Sequence, residues 1–197
     1  MDKEQIVEPP RGVAEAVARY GQPVERKYTY PVSRETLLYW ESILRKRAAE
    51  VVLLLRRPNG RYLVHTKAFY SPGVYRLLSG GIKPGEDLLM AVRREAWEET
   101  GLEVRIERFL GVIQHVFSYQ GKSLPFTSYL FLVAEEGGTL GNRDPEEAIS
   151  AYREIEPTDL LRLAEELEML PPQWADWGRF RATPHRLAAE VLHGTMA

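Results

Sequence analysis

Glu95, Glu98 and Glu99 lie in the run RREAWEETGL, at the spacing of one helix face. Each helical residue advances by about 100°, so the three carboxylates fall within about a third of the circumference. Leu88, Ala91 and Val92 share that face one and two turns earlier, so the acids prolong an apolar stripe. Like charges at this spacing destabilise an exposed helix by about a few tenths of a kcal/mol per pair, and by more when partly buried. A compensating positive charge is therefore expected. Arg93 and Arg94 are adjacent, but Arg94 projects a quarter turn or more from Glu95 and cannot neutralise three acids. Hard divalent cations suit the donors better, because Mg²⁺ and Mn²⁺ take carboxylate oxygen and water and commonly bridge protein to substrate phosphate. Glu95, Glu98 and Glu99 are thus candidate metal ligands. The competing reading is an acidic solvated helix, the ordinary meaning of a glutamate-rich run.

The residues around the helix bear on that choice. Gly80, Gly81 and Gly85 form an approach in which backbone comes close to a ligand, and Gly101 stands where a helix C-terminus favours a left-handed residue. Asp87 favours the helix N-terminus through the dipole. From Gly80 to Leu102 the segment resembles the Nudix box: G, five residues, E, seven residues, then REUxEExGU with U aliphatic. Gly80, Glu86, Arg94, Glu95, Ala96, Glu98, Glu99, Gly101 and Leu102 stand in register, with Ala96 smaller than usual at its aliphatic position. The resemblance implies an α/β/α sandwich with a mixed sheet that hydrolyses a nucleoside diphosphate linked to another moiety, with Mg²⁺ or Mn²⁺. It implies metal binding by Glu95, Glu98 and Glu99, with the carbonyl of Gly80 as a further ligand. It also implies a brace between Glu86 and Arg94 that fixes the loop on the helix. Glu98, Glu99, Arg94 and Glu86 are accordingly the expected catalytic set. Relatives often carry Pro just before the double glycine, whereas this chain has Leu78 and Ser79, which puts substrate placement in question rather than the ligands.

Further candidates lie outside the motif. In relatives the loop corresponding to DPEE reaches the site, so Glu146 and Glu147 are candidates for a further ligand or base, against a solvated acidic turn. Arg76, in the run entering the motif, is a substrate-binding candidate. Tyr119 falls where relatives selective for dinucleoside polyphosphates place a stacking tyrosine, although packing is the commoner role of a strand tyrosine. The fragment SLPFTS resembles the signature of nicotinamide-dinucleotide pyrophosphatases but lacks its Gln and Trp, and it is set aside. The proline that marks ADP-ribose-selective members is absent from its usual window. A nucleotide-sensing module without turnover is the alternative to an enzyme; the intact ligand set and brace favour catalysis. A prenyl-diphosphate isomerase on the same motif would use a cysteine, and there is none.

The elements that must position these residues alternate along the chain. Ser33 caps a helix over SRETLLYWESILRKR whose basic end suits the dipole. EVVLLLRRP and RYLVHTKAF read as a hairpin around a type I′ turn at Asn59 and Gly60. GVYRLLS leads into the motif, and LEVRIERFLGVIQHVFSYQ and LPFTSYLFLVAEE follow as longer strands. After the loop GGTLGNRDPEE come a strand over AISAYREI, a helix over PTDLLRLAEELEML capped at Thr158 or Asp159, and a last helix from Pro184. Residues before Pro31 mix Pro, Gly and charge around one short helix, GVAEAVARY. Interleaved strands and helices argue for an α/β sandwich, with an extension over 1–48 carrying one amphipathic helix and the hydrolase domain over 49–197.

Composition narrows the function classes. At 197 residues and 44% hydrophobic content the chain supports one main domain. A net charge of −2 gives no overall field toward nucleic acid or an anionic membrane, so phosphate must be gripped locally. The absence of cysteine excludes disulfides, thiolate zinc sites and a cysteine nucleophile. No secretion signal or bilayer-spanning run is evident, so a cytoplasmic protein acting on a small nucleotide derivative is expected, with homodimerisation common among relatives. The four histidines show no ligand pair at helical spacing and read as surface or satisfied residues. Trp174, Trp177 and Phe180, interleaved with Arg179, Arg181 and Arg186, read as packing of the C-terminal segment, against base and phosphate binding.

Overall fold

A computed structural model describes residues 9–47 and 49–194. Seven strands form one mixed sheet in the order β1-β5-β6-β2-β4-β3-β7. The strands are β1 (Val24–Pro31), β2 (Ala49–Arg56), β3 (Tyr62–Lys67), β4 (Arg76–Gly81), β5 (Leu102–Tyr119), β6 (Lys122–Gly138) and β7 (Ile149–Ile155). β1 runs parallel to β5 and β2 parallel to β6; the remaining pairs are antiparallel. The helices are α1 (Val13–Tyr20), α2 (Arg34–Leu44), α3 (Leu88–Thr100), α4 (Asp159–Glu168) and α5 (Ala175–Gly194). The architecture is the expected α/β/α sandwich.

Strand alternation sorts the core into layers. Val51, Leu53 and Leu55 of β2 pack with Leu88, Ala91 and Val92 of α3 and Ala16 of α1. Val52 and Leu54 face the other way, against Leu160 and Leu163 of α4 and Leu187 and Ala188 of α5. At the end of the sheet near the β5–β6 turn, Leu37 and Trp40 of α2 close a third cluster with Phe117, Phe126 and Phe180.

The structure corrects three local expectations. The N-terminal stretch contributes β1, an edge strand paired from Val24↔Gly111 to Pro31↔Ser118. The hairpin turn after β2 is not type I′: the Gly60 N–H donates to Arg57 O at 2.9 Å across Pro58 and Asn59, and only Gly60 has positive φ, at 87°. A two-residue turn with both φ positive occurs instead at Gln120 (46°) and Gly121 (82°), joining β5 to β6. Finally, α5 begins at Ala175 and carries Pro184 inside it. The side chains of Thr183 and His185 bond the carbonyls of Arg179 and Arg181 around that break, and burial of Phe180, Ala182 and Leu187 holds the helix together.

Candidate active site

Both ends of α3 are fixed by local chemistry. Asp87 is the N-cap, its Oδ1 accepting from Leu89 N at 2.9 Å and Met90 N at 3.3 Å. The segment before α1 docks on this end: Leu88 N donates to Arg11 O at 2.8 Å. Gly101 ends the helix at φ 68°, its N–H on Trp97 O.

The apolar stripe carries Glu95 and Glu99 inward, to 3% and 0% exposure. The Glu98 side chain retains 21%. Glu99 Oε2 accepts from Ser79 N at 3.0 Å, whereas Glu99 Oε1 and Glu95 Oε2 are buried without a donor. Burial pushes the Glu99 carboxyl up to about 8, with Arg76 and Lys67 opposing, and the Glu95 carboxyl up to about 7, with Arg94 opposing. Glu95 lies against β4: a Cβ placed on Gly80 would stand 1.8 Å from Glu95 Oε2. Gly80 is therefore required for space, at a position with no positive φ.

Arg94 reaches further than its helical angle indicates. It bonds both oxygens of Glu86 at 2.6 and 2.8 Å and the Gly81 carbonyl at 2.9 Å, which fastens the loop to the helix. Its Nη1 also donates to Glu95 Oε1 and Glu98 Oε2, each at 2.7 Å. The expectation that Arg94 stays clear of Glu95 is thus corrected: a long side chain folds back over the intervening turn. It still leaves Glu99 untouched, and one guanidinium faces three carboxylates. Among the described residues no three His, Asp or Glu side chains converge into a chelating group as they stand. The donor set nonetheless suits a hard cation, with unpartnered buried oxygens on Glu95 and Glu99 and with Glu98 held by Arg94 and, at 3.6 Å, by Lys83.

The loop carrying Glu147 is tied to the same end of α3. Arg143 N and Asp144 N donate to Glu98 O at 3.0 and 3.2 Å, and the Tyr152 hydroxyl donates to Glu99 O. Glu147 pairs with Lys67, and its charge raises the carboxyls of Glu95 and Glu99. Glu146 is exposed. Arg76 is 2% exposed and engages the Tyr70 hydroxyl, Leu77 O and Ser79 Oγ, so its guanidinium is held by protein groups. Tyr119 packs against the cluster of Trp40 and Phe117. The C-terminal aromatics pack as well: Phe180 is buried beside Trp40, and Trp174 and Trp177 close on Tyr70.

Several residues at the site carry no sequence signal of their own. Glu50, the second residue of β2, precedes an apolar run and is buried on the face opposite α3, where Arg181 Nη1 donates to both its oxygens at 2.9 Å. Burial raises the Glu50 carboxyl, but Arg181 and Arg47 outweigh this and hold it below the usual range. Arg181 also donates to Ser79 Oγ at 3.0 Å, joining α5 to the strand that bonds Glu99. His115 and His185 are buried and hydrogen-bonded as expected, to Tyr30 and Ser128 and to Leu77 N and Arg181 O. His65 departs from that expectation, being fully buried with both ring nitrogens unpartnered.

A mixed sheet between helical layers, with a glycine-led glutamate helix set against Gly80, defines an α/β sandwich of the kind the motif implies. The NUDIX domain model matches residues 45–177, and the chain belongs to the NUDIX family. Nudix hydrolase 19, chloroplastic, of Arabidopsis thaliana is 48% identical over 54 residues, covering 27% of this chain and 12% of that protein. The NAD-capped RNA hydrolase NudC of Chromobacterium violaceum is 33% identical over 101 residues, covering 51% of this chain and 35% of that protein. The matched region thus spans only a minor part of these curated relatives. A NUDIX hydrolase from Nitrosomonas europaea shares the fold at TM-score 0.52 and 17% identity, covering 76% of this chain and 90% of that one.

Proposed function

We propose that this chain hydrolyses a pyrophosphate bond in a nucleoside diphosphate linked to another moiety, with Mg²⁺ or Mn²⁺ held at the α3 carboxylates. The observation that carries this reading is the pair of buried carboxylate oxygens, Glu95 Oε2 and Glu99 Oε1, that have no donor. Burial without a donor disfavours the charged form of both carboxyls, so in the absence of a cation they hold protons more tightly than usual. A divalent cation satisfies such oxygens and is itself drawn to phosphate.

Glu95, Glu99 and, once released from Arg94, Glu98 would hold the cation, with Glu147 and the Gly80 carbonyl as additional oxygens. When bound, it would offset charge on phosphoryl oxygens and lower the pKa of water, which favours the hydroxide form that attacks phosphorus. The chain's own residues supply the remainder. Arg94 and Glu86 hold the approach loop on α3, and Gly80 admits the Glu95 carboxylate against β4. Glu99 and Glu147 are the carboxylates that would accept a proton in this reading, and Lys67 adds positive charge beside both. In this reading 49–197 is the hydrolase unit, 1–48 is an N-terminal extension to it, and the protein acts in the cytoplasm on a small molecule, as a homodimer. Among the described residues no helix is long and apolar enough to cross a membrane.

The test is a panel of ADP-ribose, a nucleotide sugar, a dinucleoside polyphosphate, a nucleoside triphosphate and NAD, each with Mg²⁺ and with Mn²⁺, with products resolved by chromatography. NAD is included because the NudC relative is named for NAD-capped RNA. Cleavage of a panel member, lost in Glu98→Gln and Glu99→Gln proteins that keep their fold, supports the reading. A panel left intact moves support to the nucleotide-sensing module.

A further inference from the structure

His65 lies on β3, two residues from Leu63, which packs in the α3-side core; alternation therefore turns the imidazole toward α3. It is 0% exposed and neither ring nitrogen has a partner, unlike His115 and His185. Such a group is unfavourable unless something else engages it. Nε2 lies 3.8 Å from Glu99 Oε1, which is also unpartnered. That separation is too long for a hydrogen bond. It falls within the range that two ligands of one ion span, since donors each about 2.1 Å from a cation stand about 3 Å apart at a right angle and about 4 Å apart across the ion. A neutral imidazole carries a lone pair on one ring nitrogen, which is what a cation takes.

We propose that His65 Nε2 is a nitrogen ligand of the cation bound at Glu99 and biases the site toward Mn²⁺ over Mg²⁺. The bias follows from ligand type, because Mg²⁺ takes oxygen almost exclusively whereas imidazole is an ordinary ligand for transition ions. The inference rests on the cation reading above and adds a residue outside the Gly80 to Leu102 motif.

The test uses the full chain loaded with Mn²⁺ and examined by electron spin-echo modulation, once with natural nitrogen and once with ¹⁵N-histidine incorporated. The expected result is a nitrogen modulation that shifts with the isotope and vanishes in His65→Gln. In that variant Mn²⁺ binding, measured by calorimetry, weakens by about tenfold or more, and Mg²⁺ binding by less. If His65→Gln does not fold, His65→Asn is the second variant, and the isotope shift in the unmodified protein tests histidine ligation without any variant. Mn²⁺ that binds without isotope-sensitive modulation overturns the proposal while leaving the glutamate site standing. Failure of Mn²⁺ to bind the unmodified protein overturns both.

Discussion

Gly80→Ala is a one-atom perturbation aimed at a single carboxylate. The added Cβ would lie 1.8 Å from Glu95 Oε2, 1.9 Å from its Cδ and 2.2 Å from Oε1, against the 3.4 Å at which ordinary contact begins. The carboxylate must therefore retreat by about 1.6 Å, and it is buried and tied to Arg94 at 2.7 Å. Because Gly80 has no positive φ, alanine brings no backbone strain, so the effect is steric. A displacement of about 1 Å in a reacting constellation lowers rate by about 100-fold, and overpacking lowers stability by about 1–3 kcal/mol. Turnover on whichever panel substrate is cleaved should fall by about two orders of magnitude, with Mn²⁺ affinity falling in parallel by calorimetry and a native-like circular dichroism spectrum retained. Gly81→Ala is the internal control: its Cβ meets Arg47 Cδ at 2.1 Å, part of a longer side chain able to swing aside. If Gly80→Ala keeps its Mn²⁺ affinity and turnover within twofold, Glu95 is not a ligand held against β4 and the steric reasoning fails.

Three further outcomes follow from the geometry. Glu95 and Glu99 have carboxyls raised to about 7 and about 8, so the folded chain holds protons that the unfolded chain has released. Their contribution falls as pH rises from about 4.5 to about 8. Buried His115 and His185, depressed to about 3 and about 4, act with the opposite sign but only up to the ordinary histidine range near 6.5. Between about pH 6.5 and 8 the metal-free melting temperature should therefore decline, and Glu99→Gln should flatten that decline in a fluorimetric melt. Arg94→Lys loses the two-pronged grip on Glu86 and the bond to Gly81 O; urea denaturation should show a loss of about 2–3 kcal/mol. Trp40 stacks on Phe117 at 4.1 Å and meets Phe180 of α5, so Trp40→Ala should cost about 3–5 kcal/mol by the same assay. A loss under 1 kcal/mol would show that α2 is not part of the cooperative core.

The motif was legible because each of its roles is local. Loop glycines, capping acid, carboxylate stripe and terminal glycine all act within a few turns of one helix, where residue spacing translates directly into position. What escaped is non-local or turns on side-chain reach. β1 has its apolar residues at Val24, Tyr28 and Tyr30, but Arg26 interrupts the alternation and the pairing partner is β5, far along the chain. Pro184 imitates a helix start, and only the packing of Phe180 and Leu187 shows that the helix runs through it. The Gln120–Gly121 turn lacks the Asn or Asp that marks type I′ in sequence, whereas Asn59–Gly60 carries that mark and sits in another turn. Helical angle points Arg94 away from Glu95, yet a guanidinium acts where its long stem delivers it.

The departure at Ser79 acquires a physical meaning from the same strand. Relatives that carry proline there have no N–H at that position. Here the Ser79 N–H donates to Glu99 Oε2 at 3.0 Å. Its side chain turns to the opposite face of the sheet, where Oγ accepts from Arg76 at 2.8 Å and from Arg181 at 3.0 Å. One step along β4, Gly80 makes room for Glu95. Adjacent residues of one strand thus hold two carboxylates of α3, and the first of them is anchored from behind by an arginine of α5 that also pairs with buried Glu50. Because successive strand residues face opposite layers, chemistry and brace occupy opposite sides of the same strand. The helix that supplies the brace extends beyond the residues matched by the family model, so the position of Glu99 depends on a segment that the motif alone would not single out.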